Sequence, residues 1–249
     1  MSGIHFYSYF TFMIGIIVQL AVSWLVVWLF EKGNLNCLGL LPAKKRLTDF
    51  GLFFSITAAC SVLSFLLQML IARQSWQLNP DISFFLIMKG TWFVIKSVLF
   101  EELIFRGVLL YILIKKIGAV KAIFISAAAF GMYHWFSHEL WGNPVQMAIE
   151  FFTSGAMGLV LAYGYAKTFS LYVPVAIHFG WNIVQMVVFS GNTIGEQVFI
   201  EVLPRPVITV SYFNFFVMLF LPLLCCLAIN GWMLKRYKQA EPPGAGNNT

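Results

Sequence analysis

Four stretches of this chain, 1–30, 50–72, 168–195 and 206–234, contain no charged residue. Each exceeds the roughly 20 residues a helix needs to cross the hydrocarbon core of a bilayer. Shorter or charge-interrupted apolar stretches fill 83–114, 122–137 and 146–166. All read as helices, because lipid-exposed backbone must satisfy its own hydrogen bonds and barrel strands would alternate with a period of two over only about 10 residues. The expectation is an all-α polytopic transmembrane bundle of seven or eight helices. It forms a single domain over 1–238, with a disordered polar tail at 239–249, "QAEPPGAGNNT".

The first run lacks a basic leader and a small-residue cleavage site, so it reads as a retained helix and not as a signal peptide. Of the four cysteines, Cys60, Cys225 and Cys226 fall inside apolar stretches, and with Cys37 they show no metal-ligand spacing. The net charge of +6 does not point to nucleic acid. Lys32, Lys44, Lys45, Arg46, Lys115, Lys116, Lys121, Lys167, Lys235, Arg236 and Lys238 cluster at segment ends, as the excess of Lys and Arg in cytoplasmic loops requires. With those loops inside, the chain crosses seven times and begins outside, if 83–114 is one crossing. A short interfacial or re-entrant helix carrying Lys89 and Lys96, followed by a separate span, fits the same stretch.

Ionisable groups inside a membrane helix cost about 2.5–3.5 kcal/mol each on insertion scales, so those that persist mark a functional site. "EELIFR" places Glu101, Glu102 and Arg106 in two turns. Glu102 and Arg106, four apart, share a face and neutralise each other. Glu101 is rotated by about 100° and needs another partner. If residues 115–121 form a turn, an antiparallel hairpin brings His134 to the depth of Glu101, roughly 20 Å from that turn. In "HFGWN", His178 and Asn182 are also four apart and project from one helix side at intermediate depth.

Together, Glu101-Glu102-Leu103-Ile104-Phe105-Arg106, Phe130-Gly131-Met132-Tyr133-His134 and His178-Phe179-Gly180-Trp181-Asn182 read EExxxR, FxxxH and HxxxN. In this the chain resembles the CAAX-processing and bacteriocin-processing (CPBP, or Abi) intramembrane endopeptidases, over about residues 83–190. The resemblance implies peptide-bond hydrolysis of a membrane-associated peptide or protein substrate. Glu101 and His134 would activate a water, His178 and Asn182 would stabilise the oxyanion, and Glu102 and Arg106 would support them. No serine or cysteine pattern competes as nucleophile. No cofactor is favoured; zinc held by Glu101, His134 and His178 is the alternative, although no HExxH spacing is present. His138, four after His134, reads as an interfacial, solvated residue beside Glu139 and Trp141. Gly155 and Gly158 with Ala156 and Ala162 read as close helix contacts.

Two non-enzymatic readings stand beside the protease: a scaffold or bacteriocin-immunity-type binding protein of the same fold, and a transporter with a proton-relay carboxylate. The second lacks repeat halves. A bacterial inner membrane is the expected location. The partners expected are the lipid bilayer and a membrane-associated substrate, and no nucleic acid.

Overall fold

The computed structural model describes residues 3–190 and 198–240, with side chains from residue 14 onward. The described residues form eight α-helices: α1 (Gly3–Glu31), α2 (Lys44–Ile71), α3 (Phe84–Phe105), α4 (Val108–Ile117), α5 (Ala119–Ser137), α6 (Pro144–Thr168), α7 (Tyr172–Ile183) and α8 (Tyr212–Arg236). The helical membrane bundle expected from the apolar runs is what the chain forms. Segments within α1, α2, α5, α6 and α8 are long and apolar enough to cross a membrane. α3 is long enough at 22 residues but carries Lys89, Lys96, Glu101 and Glu102. α7 runs on through a π-helical turn at Val184–Val188, and its 17-residue total is short for a span.

The stretch 83–114 is two helices, and their order is the reverse of the two-helix arrangement read from the sequence. The long helix, carrying Lys89 and Lys96, comes first; α4, with 10 residues and about 15 Å of length, comes second. The chain breaks at Arg106 and Gly107, in a conformation that only glycine admits: a Cβ on Gly107 would lie 2.1 Å from the Leu103 carbonyl oxygen. The break strands the last carbonyls of α3 away from water, where an unpaired group is costly. The Ser126 hydroxyl on α5 donates to Phe105 O at 2.8 Å and satisfies one of them.

The helices share a basic end. Lys115 on α4 pairs with Glu31 on α1, and Lys167 on α6 donates to Tyr237 O beyond α8 at 2.9 Å. A 3-10 turn at Leu35–Leu38 locks the two sides together: Tyr165 OH donates to Cys37 O, and Leu171 N to Leu38 O. At the opposite end, β1 (Trp76–Leu78) and β2 (Phe199–Glu201) form an antiparallel ribbon, with Trp76 opposite Glu201 and Leu78 opposite Phe199. This ribbon is too short to announce itself in the hydropathy pattern. The expected polar tail lies outside the described residues from 241 on. Its first two residues are docked, with Gln239 Nε2 donating to Ala166 O at 2.6 Å and Ala240 N to Lys167 O at 3.0 Å.

Small residues let α5 and α6 close on each other, as the glycine and alanine spacing on α6 led us to expect. A Cβ on Gly158 would approach Ala127 Cα to 3.1 Å and the Arg106 guanidinium to 3.3 Å. That clearance admits Arg106 between the helices.

Candidate active site

Glu101 and Glu102 are adjacent on α3, so they leave the helix about 100° apart. One imidazole lies between them. His178 Nδ1 on α7 is 2.7 Å from Glu102 Oε1, and its Nε2 is 3.8 Å from Glu101 Oε2. The two ring nitrogens point to different sides, and each meets one of the two consecutive carboxylates. Glu101 Oε1 accepts a bond from Ser97 Oγ one turn back at 3.3 Å. Its Oε2 is buried and makes no hydrogen bond with the described residues.

Arg106 balances this charge. It is wholly buried, donates from Nη1 to Glu102 Oε1 at 3.1 Å, and donates from Nη2 to Gly158 O on α6 at 3.3 Å. Its guanidinium carbon stands 4.1 Å from the centroid of the Phe130 ring, a cation–π contact worth about 2 kcal/mol when desolvated. Glu102 therefore holds two cation-capable partners on one oxygen and is itself fully buried. Removing one member of such a group leaves an uncompensated buried charge.

Phe130 is marked in the sequence by the FxxxH motif, but its packing role comes from the structure. Its ring meets Arg106 on one side, His178 edge-on at 5.7 Å, and His134 at 4.5 Å. The phenylalanine of FxxxH is thus the surface on which residues from all three motifs pack.

The expected facing of Glu101 and His134 is looser than the hairpin arithmetic suggested. His134 Nδ1 lies 2.8 Å from Phe130 O, one turn back on its own helix. No hydrogen bond or ion pair links Glu101 to His134 among the described residues. The break at Gly107 is the cause: α5 returns along α4 and α6, not straight back along α3. Asn182 is half-buried one turn beyond His178 and makes no side-chain hydrogen bond among the described residues. Close by, Ser61 on α2 donates to Trp181 O at 3.1 Å and accepts from Gln185 at 3.0 Å, where α7 widens into its π-turn. Such turns gather at functional sites.

A second His–Glu pair lies further along α5 and α6. His138 Nδ1 is 3.5 Å from Glu150 Oε2, and the Ser154 hydroxyl donates to the other oxygen of Glu150. His138 stacks edge-on against His134 at 5.1 Å. Half-exposed as expected, His138 is nonetheless paired, and Glu150 carries no motif that marks it. The Glu150 hydrogen bond holds the imidazole of His138 above its ordinary pKa. No group of three His, Cys, Asp or Glu among the described residues is arranged to hold a metal ion. Glu101, His134 and His178 are not gathered into such a three-ligand set.

Against α3 and α7, an apolar cavity of about 310 Å³ opens between α1, α2, α3 and α7. Ile16, Leu20, Leu40, Phe50 and Leu99 form part of its wall, and Glu102 is the one charged residue in its lining.

No curated protein and no solved structure matches the chain. Residues 82–184 match the model of a family described as type II CAAX prenyl endopeptidase Rce1-like. Glu101, Glu102, Arg106, Phe130, His134, His178 and Asn182 all lie inside that segment. The part of the chain that builds the site is thus the part that is similar to the Rce1-like family.

Proposed function

We propose that the protein is an intramembrane endopeptidase that hydrolyses a peptide bond in a membrane-associated peptide or protein, with a water activated at Glu101. The family match over the site segment supports the general class. One observation carries the finer reading: a buried Glu101 oxygen without a hydrogen-bond partner among the described residues faces, at 3.8 Å, the Nε2 of an imidazole whose other nitrogen is held by Glu102.

Glu101 takes a proton from the water as its oxygen attacks the substrate carbonyl carbon. The carbonyl oxygen becomes negative and is met by Nε2–H of His178 and by the Asn182 amide. Glu102 fixes the imidazole through Nδ1, as a buried carboxylate does behind a catalytic histidine, and Arg106 supplies its counter-charge. His134 borders the water from α5. When the intermediate collapses, Glu101 returns its proton to the leaving amine, so the enzyme ends as it began. The apolar cavity beside Glu102 suits the hydrocarbon of a lipid-modified substrate, which agrees with the prenyl substrates in the family's description.

The test is full-length Glu101→Gln, checked for unchanged thermal unfolding and assayed with prenylated and unprenylated peptides, with and without chelator. The expected result is a fall of about 10²–10⁴-fold in cleavage. Unchanged cleavage by the variant overturns Glu101 as the base, and absence of cleavage by the native chain favours a binding protein of the same fold. Chelator-sensitive cleavage by the native chain moves the mechanism to zinc.

A further inference from the structure

A second cavity, of about 180 Å³, lies at the basic end where α2, α6, α7 and α8 meet. Its character is opposite to that of the apolar one. Lys45, Arg46, Lys167 and Lys238 line it, against a single carboxylate, Asp49. The hydroxyl-bearing Thr168, Ser170 and Tyr172 complete the wall.

The carboxylate does not cancel these cations. Asp49 is buried and shared, accepting from Lys45 Nζ at 2.7 Å and from Tyr237 OH at 2.7 Å. Asp49 and Tyr237 thus frame the pocket. Arg46 and Lys167 point at backbone oxygens, Leu41 O at 2.5 Å and Tyr237 O at 2.9 Å, which hold the side chains in place while leaving their charge uncompensated. Three positive charges in excess around a concavity recognise a phosphate group.

The setting identifies the molecule that carries the phosphate. The pocket sits at the ends of membrane helices, where headgroups lie. Leu41 and Leu47 beside it are strongly exposed apolar side chains, as lipid tails require. Tyr172 belongs to the walls of both cavities, so the polar pocket and the apolar chamber are neighbours, one wet and one greasy. An amphiphile matches that pairing better than a free ion does. We infer that this pocket binds the headgroup of an anionic membrane phospholipid, holding α2, α6 and α8 together at the basic end. Basic pockets between transmembrane helices recognise such headgroups.

The test reads binding, so it does not depend on whether the protein cleaves anything. The full-length protein in phosphatidylcholine nanodiscs is titrated with a spin-labelled phosphatidylglycerol. Expected are saturable binding that excess phosphatidylcholine does not displace, and a loss of about fivefold in affinity for each of Arg46→Gln and Lys238→Gln, the magnitude of one basic residue near a membrane surface. Lys121→Gln removes the same charge from the same end outside the pocket and is expected to bind as the native chain does. Equal weakening by Lys121→Gln shows a diffuse attraction and overturns the site. Displacement by millimolar inorganic phosphate, or by a peptide with a free terminal carboxylate, overturns the lipid as occupant. A variant whose unfolding midpoint falls without lipid is replaced by Arg46→Lys or Lys238→Arg, in which charge is kept and binding is expected to persist; loss of binding there also overturns the inference.

Discussion

Among the described residues, His178 and His138 are each paired with a glutamate, and the two pairs differ in their surroundings. His178 and Glu102 stand 2.7 Å apart with side chains 7% and 0% exposed. His138 and Glu150 stand 3.5 Å apart with side chains 52% and 23% exposed. The residue types are the same, so chemistry alone does not separate them; surroundings do. The inner pair is gripped by Arg106, roofed by Phe130 and denied solvent, so each charge there depends on its neighbour. The outer pair can trade its partner for water at little cost, as exposed ion pairs do.

That contrast is sharpest in catalysis. Glu102→Gln is expected to lower peptide cleavage by about 10²–10⁴-fold through loss of the charge behind His178, while Glu150→Gln leaves kcat/KM within about twofold. Comparable losses would abolish the distinction between the pairs.

Arg106→Ala strips the buried carboxylate of its counter-charge and is expected to cost about 3–5 kcal/mol of stability, read as denaturant unfolding in detergent or as failure to accumulate in the membrane. Arg106→Lys keeps the charge but not the planar fork over Phe130, and its unfolding midpoint should fall between alanine and the native chain. If alanine is tolerated, the inner cluster is solvated and the contrast is lost.

Gly180→Ala probes the scaffold behind the inner pair. A Cβ there would meet Phe54 O on α2 at 2.6 Å, so α7 must shift, at about 1–3 kcal/mol. Cleavage should fall more than stability alone explains, because His178 moves with the helix. Activity that tracks only the folded fraction would show that α7 is not positioning the imidazole.

The smallest effect belongs to the outer pair. Glu150 raises the pKa of His138 in the folded protein, so the pair's contribution is complete below the unfolded value, about 6.5, and fades as pH rises through the raised one. His138→Gln is therefore expected to cost less than about 1 kcal/mol, at acidic pH only. Unfolding midpoints of native and variant chains, compared at pH 5.5 and 9, check it; a difference at the alkaline pH would contradict the sign.

Much of this was legible in the residues. Uncharged runs disclosed the helices, and the rarity of ionisable groups in them exposed Glu101, Glu102, Arg106, His134 and His178 without any structure. Spacing of four gave the Glu102–Arg106 pair outright, because one helix's geometry fixes it. Contacts between helices were not legible in the same way. Counting residues from a turn yields depth, but assumes straight helices, and the Gly107 break removes that assumption; the partner of His178 proved to be Glu102 as much as Glu101, with His134 set back. Glycine directly after Arg106 was the available sign, since glycine often follows a helix end. Glu150 had no such sign, and the FxxxH motif marked Phe130 without telling what its ring touches. An aromatic ring among many, or one more acid near an interface, acquires its role only from what other helices bring to it.

The interruption at Gly107 has one more effect. Adding a residue to an unbroken helix turns everything beyond it by about 100°, so length changes near a catalytic pair would ordinarily swing it out of alignment. Here α3 ends three residues after Glu102, and the phase of its acids is set before the interruption. A change of length in residues 108–121 therefore leaves the phase of the two carboxylates on α3 unaltered.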